Sequence, residues 1–259
     1  MSPEVLLSKL EAGVLTLTFN RPKVNAFDDD LIQQLESALR NAARDDQVRC
    51  VVLTGAGEHF SAGQDLNAFK RTGPEPYRRH LLDTFNPLVL QIRRLEKPVL
   101  AAINGPVSGA AVGLALACDL RIAGQGAQFI LGFTRLGLTC DSAVSLLLPA
   151  LIGLGRAAEA TFSNAPIDTA QALAWGLVNR VTPTGELREQ AAAWARQLAL
   201  GSIHVMGLAK RAFNKAVLGN LEIVLDYEAH LQEIAGQGTE HQEGMQAFLE
   251  KRSPNFAST

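Results

Sequence analysis

The residues with the most chemical capability fall in a few short stretches. Residues 97–119, KPVLAAINGPVSGAAVGLALACD, open with a buried-strand pattern at 98–103 and turn at Asn104-Gly105-Pro106. An uncharged run of Gly, Ala, Val and Leu follows, suited to a helix packed on all sides. A helix opening near Gly109-Ala110-Ala111 can aim unpaired backbone N–H groups at a ligand oxygen, which its small residues let come close. A plain core helix has the same composition, so the stretch alone leaves both readings open. Ser61-Ala62-Gly63-Gln64-Asp65-Leu66 forms a tight polar loop after Gly55-Ala56-Gly57. Asp141, in Leu136-Gly137-Leu138-Thr139-Cys140-Asp141-Ser142-Ala143, is a carboxylate just ahead of an apolar run. Asp at such a place is also an ordinary helix N-cap.

Other nucleophiles and bases fit less well. Ser108 in Gly105-Pro106-Val107-Ser108-Gly109 stands one place too late for the G-x-S-x-G elbow. Cys140 has no basic partner nearby in sequence and reads as a buried thiol. His59, His80, His204, His230 and His241 have no metal-ligand spacing, so no structural or catalytic metal is expected. His59 and His80 read as surface or cap histidines.

Bulk properties narrow the class. A chain of 259 residues, 47% hydrophobic and 19% charged, has an ordinary globular balance and length for a large core. Its formal net charge of −2 gives no electrostatic case for nucleic acid or an anionic membrane as partner. Cys50, Cys118 and Cys140, odd in number and in apolar surroundings, read as reduced thiols of a cytoplasmic protein. No signal peptide is visible at the N-terminus. The uncharged run 99–118 is about long enough to span a bilayer, but Asn-Gly-Pro interrupts it.

The elements that must position these residues alternate early and become helical late. Thr and apolar residues alternate over 14–19, a half-buried strand. Leu31, Ile32, Leu35, Ala38, Leu39 and Ala42 share a helical face after the acidic start Asp28-Asp29-Asp30. Residues 48–54 read as a buried strand, and Thr72-Gly73-Pro74-Glu75-Pro76 as a loop, mobile or lid-forming. A helix over about 77–96 contains Pro87, which predicts a kink or division there. Short strands follow near 120–123 and 128–130, then a helix from about Ser142. Asp168 and Gln171 have capping-box spacing. Residues 186–200, 203–217, 221–234 and 239–251 all read as helices. The pattern is α/β with a helical C-terminal extension.

Taken in order, several motifs resemble the crotonase (enoyl-CoA hydratase/isomerase) superfamily. These are Arg21-Pro22-Lys23-Val24-Asn25-Ala26, VVLTGAGEHFSAGQDL at 51–66, the strand–turn–helix at 104–119, ALAWGLVNRVTP at 172–183, and EGMQAFLEKRSPNF at 243–256. The resemblance implies a crotonase-like spiral of ββα units over 1–200. Residues 201–259 would then be a C-terminal helical oligomerisation region that contributes to the coenzyme A pocket. It implies a homotrimer or hexamer acting on an acyl-CoA substrate, with coenzyme A as part of the substrate and no permanently bound cofactor. It places the thioester oxygen between the N–H groups of Gln64 and Ala110, with Gly63 and Gly109 permitting the approach. Two fixed N–H groups matter most when deprotonation beside the carbonyl loads charge onto that oxygen. Ala62, Asp65, Leu66, Phe133 and Leu138 would line the acyl site. Lys23, Ala26, Phe248 and Lys251 match positions that hold the nucleotide, often across a subunit boundary. For Lys23, Phe248 and Lys251 an exposed surface or helix-end role is equally open.

The chain departs from the hydratase pattern. Both positions where family hydratases carry a glutamate hold other residues, Gly113 and Phe133. Asp141 resembles instead the acid of phenylacetate-pathway, PaaG-like enoyl-CoA isomerases and of 4-chlorobenzoyl-CoA dehalogenase. One carboxylate suffices to take a proton from C2 of a 3-enoyl-CoA and return it at C4. The expectation is therefore a Δ3 to Δ2 isomerase with Asp141 as proton shuttle. The alternatives are hydratase activity, dehalogenase-like chemistry in which Asp141 attacks carbon and a His assists, or a non-catalytic CoA-binding oligomer.

Overall fold

The computed structural model describes residues 4–67 and 76–259. β1 (Leu6–Glu11) and β2 (Val14–Phe19) form a hairpin across Ala12-Gly13, both at positive φ, the geometry that matches strand twist. The sequence reading missed β1, because only Leu6 of its residues is buried and no alternation is visible. α1 (Asp29–Arg44) follows, its first turn capped by Asp28, whose side chain accepts the Leu31 N–H. β3 (Cys50–Gly55) returns parallel to β2.

The expected helix over 77–96 divides into α2 (Tyr77–Asp83) and α3 (Phe85–Arg94), but the break is at Thr84 rather than at Pro87. Pro87 falls in the first turn of α3, where a missing N–H is tolerated. Of the proposed lid 72–76, only Pro76 is among the described residues. β4 (Val99–Ile103), β5 (Val107–Ser108) and α4 (Ala110–Ala117) follow, and every residue of α4 is buried. Next come β6 (Leu120–Gly124), β7 (Gln128–Ile130) and a 3-10 turn at Thr134–Leu136.

α5 (Val144–Ile152) starts later than expected, because Ser142 and Ala143 stand at φ 55° and 65°, outside the helix. After it come α6 (Leu154–Ser163), β8 (Ile167–Asp168), α7 (Thr169–Ala174) and β9 (Arg180–Thr182). The Asp168/Gln171 capping box is formed. The C-terminal helices are α8 (Leu187–Ala199), α9 (Ile203–Val217), α10 (Leu221–Gly236) and α11 (Thr239–Glu250).

The larger sheet runs β1-β2-β3-β4-β6-β9, parallel except for the β1–β2 hairpin. Alternate side chains feed two cores. Leu17, Val51, Leu53 and Ala101 enter the main core with α1, α3 and α4, whereas Val14, Cys50, Val52 and Leu100 face Leu187, Trp194 and Ala195 of α8. The smaller sheet, β5-β7-β8, sets the entrance to α4. Asp119 ties α9 to this framework: its carboxylate accepts the buried Lys210 Nζ at 2.7 Å and the Val99 N–H at 2.9 Å.

Candidate active site

The polar loop at Ser61-Ala62-Gly63-Gln64 is held from the N-terminal motif. Asn25 donates from Nδ2 to the carbonyls of Ala56 and His59, and Ser61 Oγ donates to Asn25 O at 2.7 Å while accepting the Gly63 N–H. Arg21 pairs with Asp28 and Asp65, each at 2.7 Å, and so fixes the far end of the loop. Phe27 bonds through its N–H to Gly63 O and through its carbonyl to the Asp65 N–H, straddling Gln64. This leaves the Gln64 N–H without a protein acceptor among the described residues, and the Ala110 N–H likewise. Gly63 sits at φ 79°, and a Cβ there would lie 2.6 Å from Ser108 O and 3.3 Å from Ala110 N. Only glycine lets the loop lie so close against the opening of α4. Two unpaired N–H donors side by side, one at the start of a buried helix, can stabilise a developing oxyanion.

Asp141 is buried at 6% exposure and is not an N-cap. Its Oδ1 accepts from Ser142 Oγ and its Oδ2 from Gln232 Nε2, both at 2.8 Å. The N–H groups of Ala143 and Ser145 are taken instead by Glu228, reaching in from α10. Burial pushes the Asp141 carboxyl up to about 6, against the opposing pull of the Gln232 and Ser142 bonds. Burial also raises Glu228 to about 7, opposed by its bonds to Ser145 and Ala143 and reinforced by the charge of Asp141.

The two glutamate positions of the hydratase pattern are both closed. A Cβ on Gly113 would sit 2.3 Å from Ser142 O, so the backbone beside Asp141 occupies the space of any side chain there. Phe133 is buried and apolar.

A cavity of about 780 Å³ joins these parts. Its walls include Gln64, Ala110, Asp141, Ala62, Asp65, Leu66, Gly109, Phe133, Leu138, Lys23, Ala26, Phe248 and Lys251. Gly63 lies behind this wall. Phe248 and Lys251 line the cavity of their own chain. Of the two lining carboxylates, Asp65 is held by Arg21, whereas Asp141 has no cationic partner among the described residues. At the mouth, exposed Lys23, Arg135 and Lys251 have no ion-pair partner among the described residues, whereas Arg252 is engaged by Glu243 and Glu250. Unpaired cations there can receive phosphates.

One histidine reading needs correction. His80 is not a surface residue: it is buried, lines the cavity, and bonds through Nε2 to Gln64 Oε1 at 2.9 Å. His59 is half-buried in a loop, with a buried Nδ1 that has no hydrogen-bond partner among the described residues. Tyr77 also lines the cavity, its hydroxyl bonded to His241 Nε2 while His241 Nδ1 donates to Leu136 O. Sequence reasoning missed Tyr77, Arg135, Glu228 and Gln232. The only available signal was the four-residue spacing of Glu228 and Gln232, two polar groups on the buried face of α10. Cys140 is a buried thiol, pushed up to about 12 chiefly by desolvation. Among the described residues no group of three or more His, Cys, Asp or Glu could hold a metal ion, and no helix is long and apolar enough to cross a membrane.

Comparison with known proteins identifies the family of the chain. The family model described as enoyl-CoA hydratase/isomerase matches residues 9–259. A 1,2-epoxyphenylacetyl-CoA isomerase of Escherichia coli (strain K12) is 41% identical over 257 residues, 98% of each chain. A 4-chlorobenzoyl coenzyme A dehalogenase of an Arthrobacter species is 34% identical, over 88% of this chain and 84% of its own. The crystal structure of an enoyl-CoA hydratase from Mycobacterium avium subsp. paratuberculosis K-10 superimposes with TM-score 0.89 at 33% identity, covering 98% of both chains.

Proposed function

The chain belongs to the enoyl-CoA hydratase/isomerase family, and from that premise we propose that it shifts the double bond of a 3-enoyl-CoA to the 2-position. The observation that carries this reading is the single unpaired carboxylate of Asp141 in a cavity that also presents the free N–H groups of Gln64 and Ala110. Asp141, ionised, takes a proton from C2, whose acidity comes from the thioester carbonyl on one side and the alkene on the other. The electron pair moves onto the thioester oxygen, where the two N–H groups hold the dienolate. Asp141 then returns the same proton at C4. A carboxyl pushed up to about 6 is a better base than an ordinary aspartate yet still ionised at neutral pH. Phe133, Leu136 and Leu138 keep water from the intermediate.

Hydration needs a second acid or base near the double bond, and the closed space at Gly113 argues against one there. The coenzyme A phosphates are assigned to the mouth at Lys23, Arg135 and Lys251, with Ala26 and Phe248 beside the nucleotide. The test is turnover of 3-enoyl-CoA thioesters, followed by the absorbance of the conjugated product. No turnover of any chain length or ring substituent would end the isomerase reading.

His80 supports a second reading. In it Asp141 displaces a halide from an activated ring carbon, chloride leaves, and water cleaves the resulting aryl ester while His80 takes its proton. Chloride release from 4-chlorobenzoyl-CoA would separate the two. For assembly, we propose a homotrimer or hexamer in the cytoplasm, with 201–259 as part of its contact region. The exposed apolar side chains of Phe213 on α9 and Ile223 on α10, with Leu154 and Phe162 on α6 outside that region, support association of the chain with further copies. A monomer in light scattering would contradict this.

A further inference from the structure

We propose that Glu228 and Gln232, one turn apart on α10, are positioning residues that free Asp141 from helix capping and aim its carboxylate into the cavity. The inference deepens the reading of Asp141 as the base and rests on it.

An aspartate just ahead of an apolar helix ordinarily turns its carboxylate back onto that helix's first N–H groups. Here those donors are already occupied. Glu228 accepts the Ala143 N–H at 2.7 Å on Oε2, and the Ser145 N–H at 2.9 Å on Oε1. With the cap supplied from another element, Ser142 and Ala143 take left-handed backbone angles, which residues other than glycine adopt only when their surroundings hold them there. Gly113 makes room for that bend, its missing side chain leaving the space that Ser142 O fills.

Gln232 completes the arrangement. Its Oε1 accepts the Thr139 N–H at 3.1 Å, which fixes the amide so that Nε2 faces Asp141 Oδ2. Ser142 Oγ serves Oδ1. Each carboxylate oxygen therefore holds one internal donor and keeps a lone pair for the substrate. Both α10 residues are almost fully buried, Glu228 at 3% and Gln232 at 1%, so neither is a surface group caught in passing. The titratable groups acting on Asp141 or beside it are Glu228 on α10 and Cys140 on its own segment, and the cavity it faces is also lined by Arg21, Lys23, Asp65, Tyr77, His80, Arg135, Lys251 and Arg252. Gln232 and Ser142 are the two neutral donors to the carboxylate, and loss of Gln232 removes a bond that holds the carboxyl down.

The experiment follows the Asp141 carboxyl directly, by 13C NMR titration of protein labelled at aspartate carboxyls, with its resonance identified by its loss in Asp141→Asn. In Gln232→Leu the titration midpoint should rise. The acid limb of kcat/KM for a 3-enoyl-CoA should rise with it, while KM stays within about twofold. Glu228→Gln, which loses an accepting oxygen, should lower kcat with KM equally little changed. A midpoint and pH profile matching wild type in a Gln232→Leu protein of normal melting temperature would overturn the proposal. If Gln232→Leu does not fold, Gln232→Asn, too short to bridge Thr139 and Asp141, takes its place with the same expected shift. Full activity in Asp141→Asn would instead overturn the base reading, whatever the titration shows, so the two failures are distinguishable.

Discussion

The two halves of the cavity are built on opposite plans. The side proposed to hold the oxyanion is made of backbone: the N–H groups of Gln64 and Ala110, placed by the adjoining motifs Ser61-Ala62-Gly63 and Ser108-Gly109. The acid side is made of side chains: Asp141, with Ser142 beside it, and Glu228 and Gln232 reached only through α10. A backbone donor needs only the right local conformation, which glycines and short motifs encode. A buried carboxylate needs partners that offset part of its desolvation, and those can come from anywhere in the chain.

The largest expected effect tests the acid side alone. Asp141→Asn removes the base and leaves the oxyanion donors, so kcat should fall by roughly 10² or more with ligand affinity little changed. An unchanged kcat with a 3-enoyl-CoA would show that the acid half does no chemistry.

The next tests the seam between the halves. Gly113→Glu puts a carboxylate where family hydratases carry one, yet its Cβ meets Ser142 O. We expect no hydratase activity and a destabilisation of about 1–3 kcal/mol, typical of overpacking. Both are read by denaturant titration and by assay with a 2-enoyl-CoA. A stable, hydrating Gly113→Glu protein would show that the halves are less closely fitted than the geometry indicates.

Stability against pH sharpens the contrast further, because the acid side holds two buried carboxyls raised by desolvation. Asp141 and Glu228 have folded pKa values of about 6 and about 7, above the ordinary 3.8 and 4.5. The native state therefore holds more protons than the unfolded chain between those limits. Its stability from these groups is fullest below about pH 4 and is lost as pH rises to about 7. Asp141→Asn should therefore melt above wild type at pH 8, with the gap narrowing as pH falls towards 4. A gap that widened on acidification would reverse the sign of the burial argument.

The smallest effect belongs to the mouth, outside both halves. Arg135→Ala or Lys251→Ala should raise KM for acyl-CoA a fewfold, more at low ionic strength, with kcat unchanged. A loss in kcat instead would place these cations nearer the reacting atoms than the cavity mouth.

How much was readable in advance follows the same division. α1 with its acidic start, β2, β3, β4, the buried α4 and the late helices were all legible, since each rests on local periodicity or end charge. β1 was not, because an edge strand with exposed side chains carries no buried face to mark it. The start of α5 was misplaced by two residues for a tertiary reason: nothing near Ser142 and Ala143 announces left-handed backbone, since Glu228, far along the chain, holds it. His80 looked like a surface histidine because one polar residue in a short helix does not reveal which way it faces.

The sequence by itself determined the family-like order of motifs, the glycines that permit close backbone approach, and the loss of both hydratase glutamates. Each is a property of residue type at a position, and residue type is what a sequence records. Tertiary structure alone decided that Asp141 is relieved of capping, that its carboxyl is buried between Ser142 and Gln232, and that His80 and Arg135 share its cavity. Those outcomes depend on which distant groups meet in a medium of low polarity, where one hydrogen bond made or missed decides whether a carboxylate caps a helix or faces a substrate.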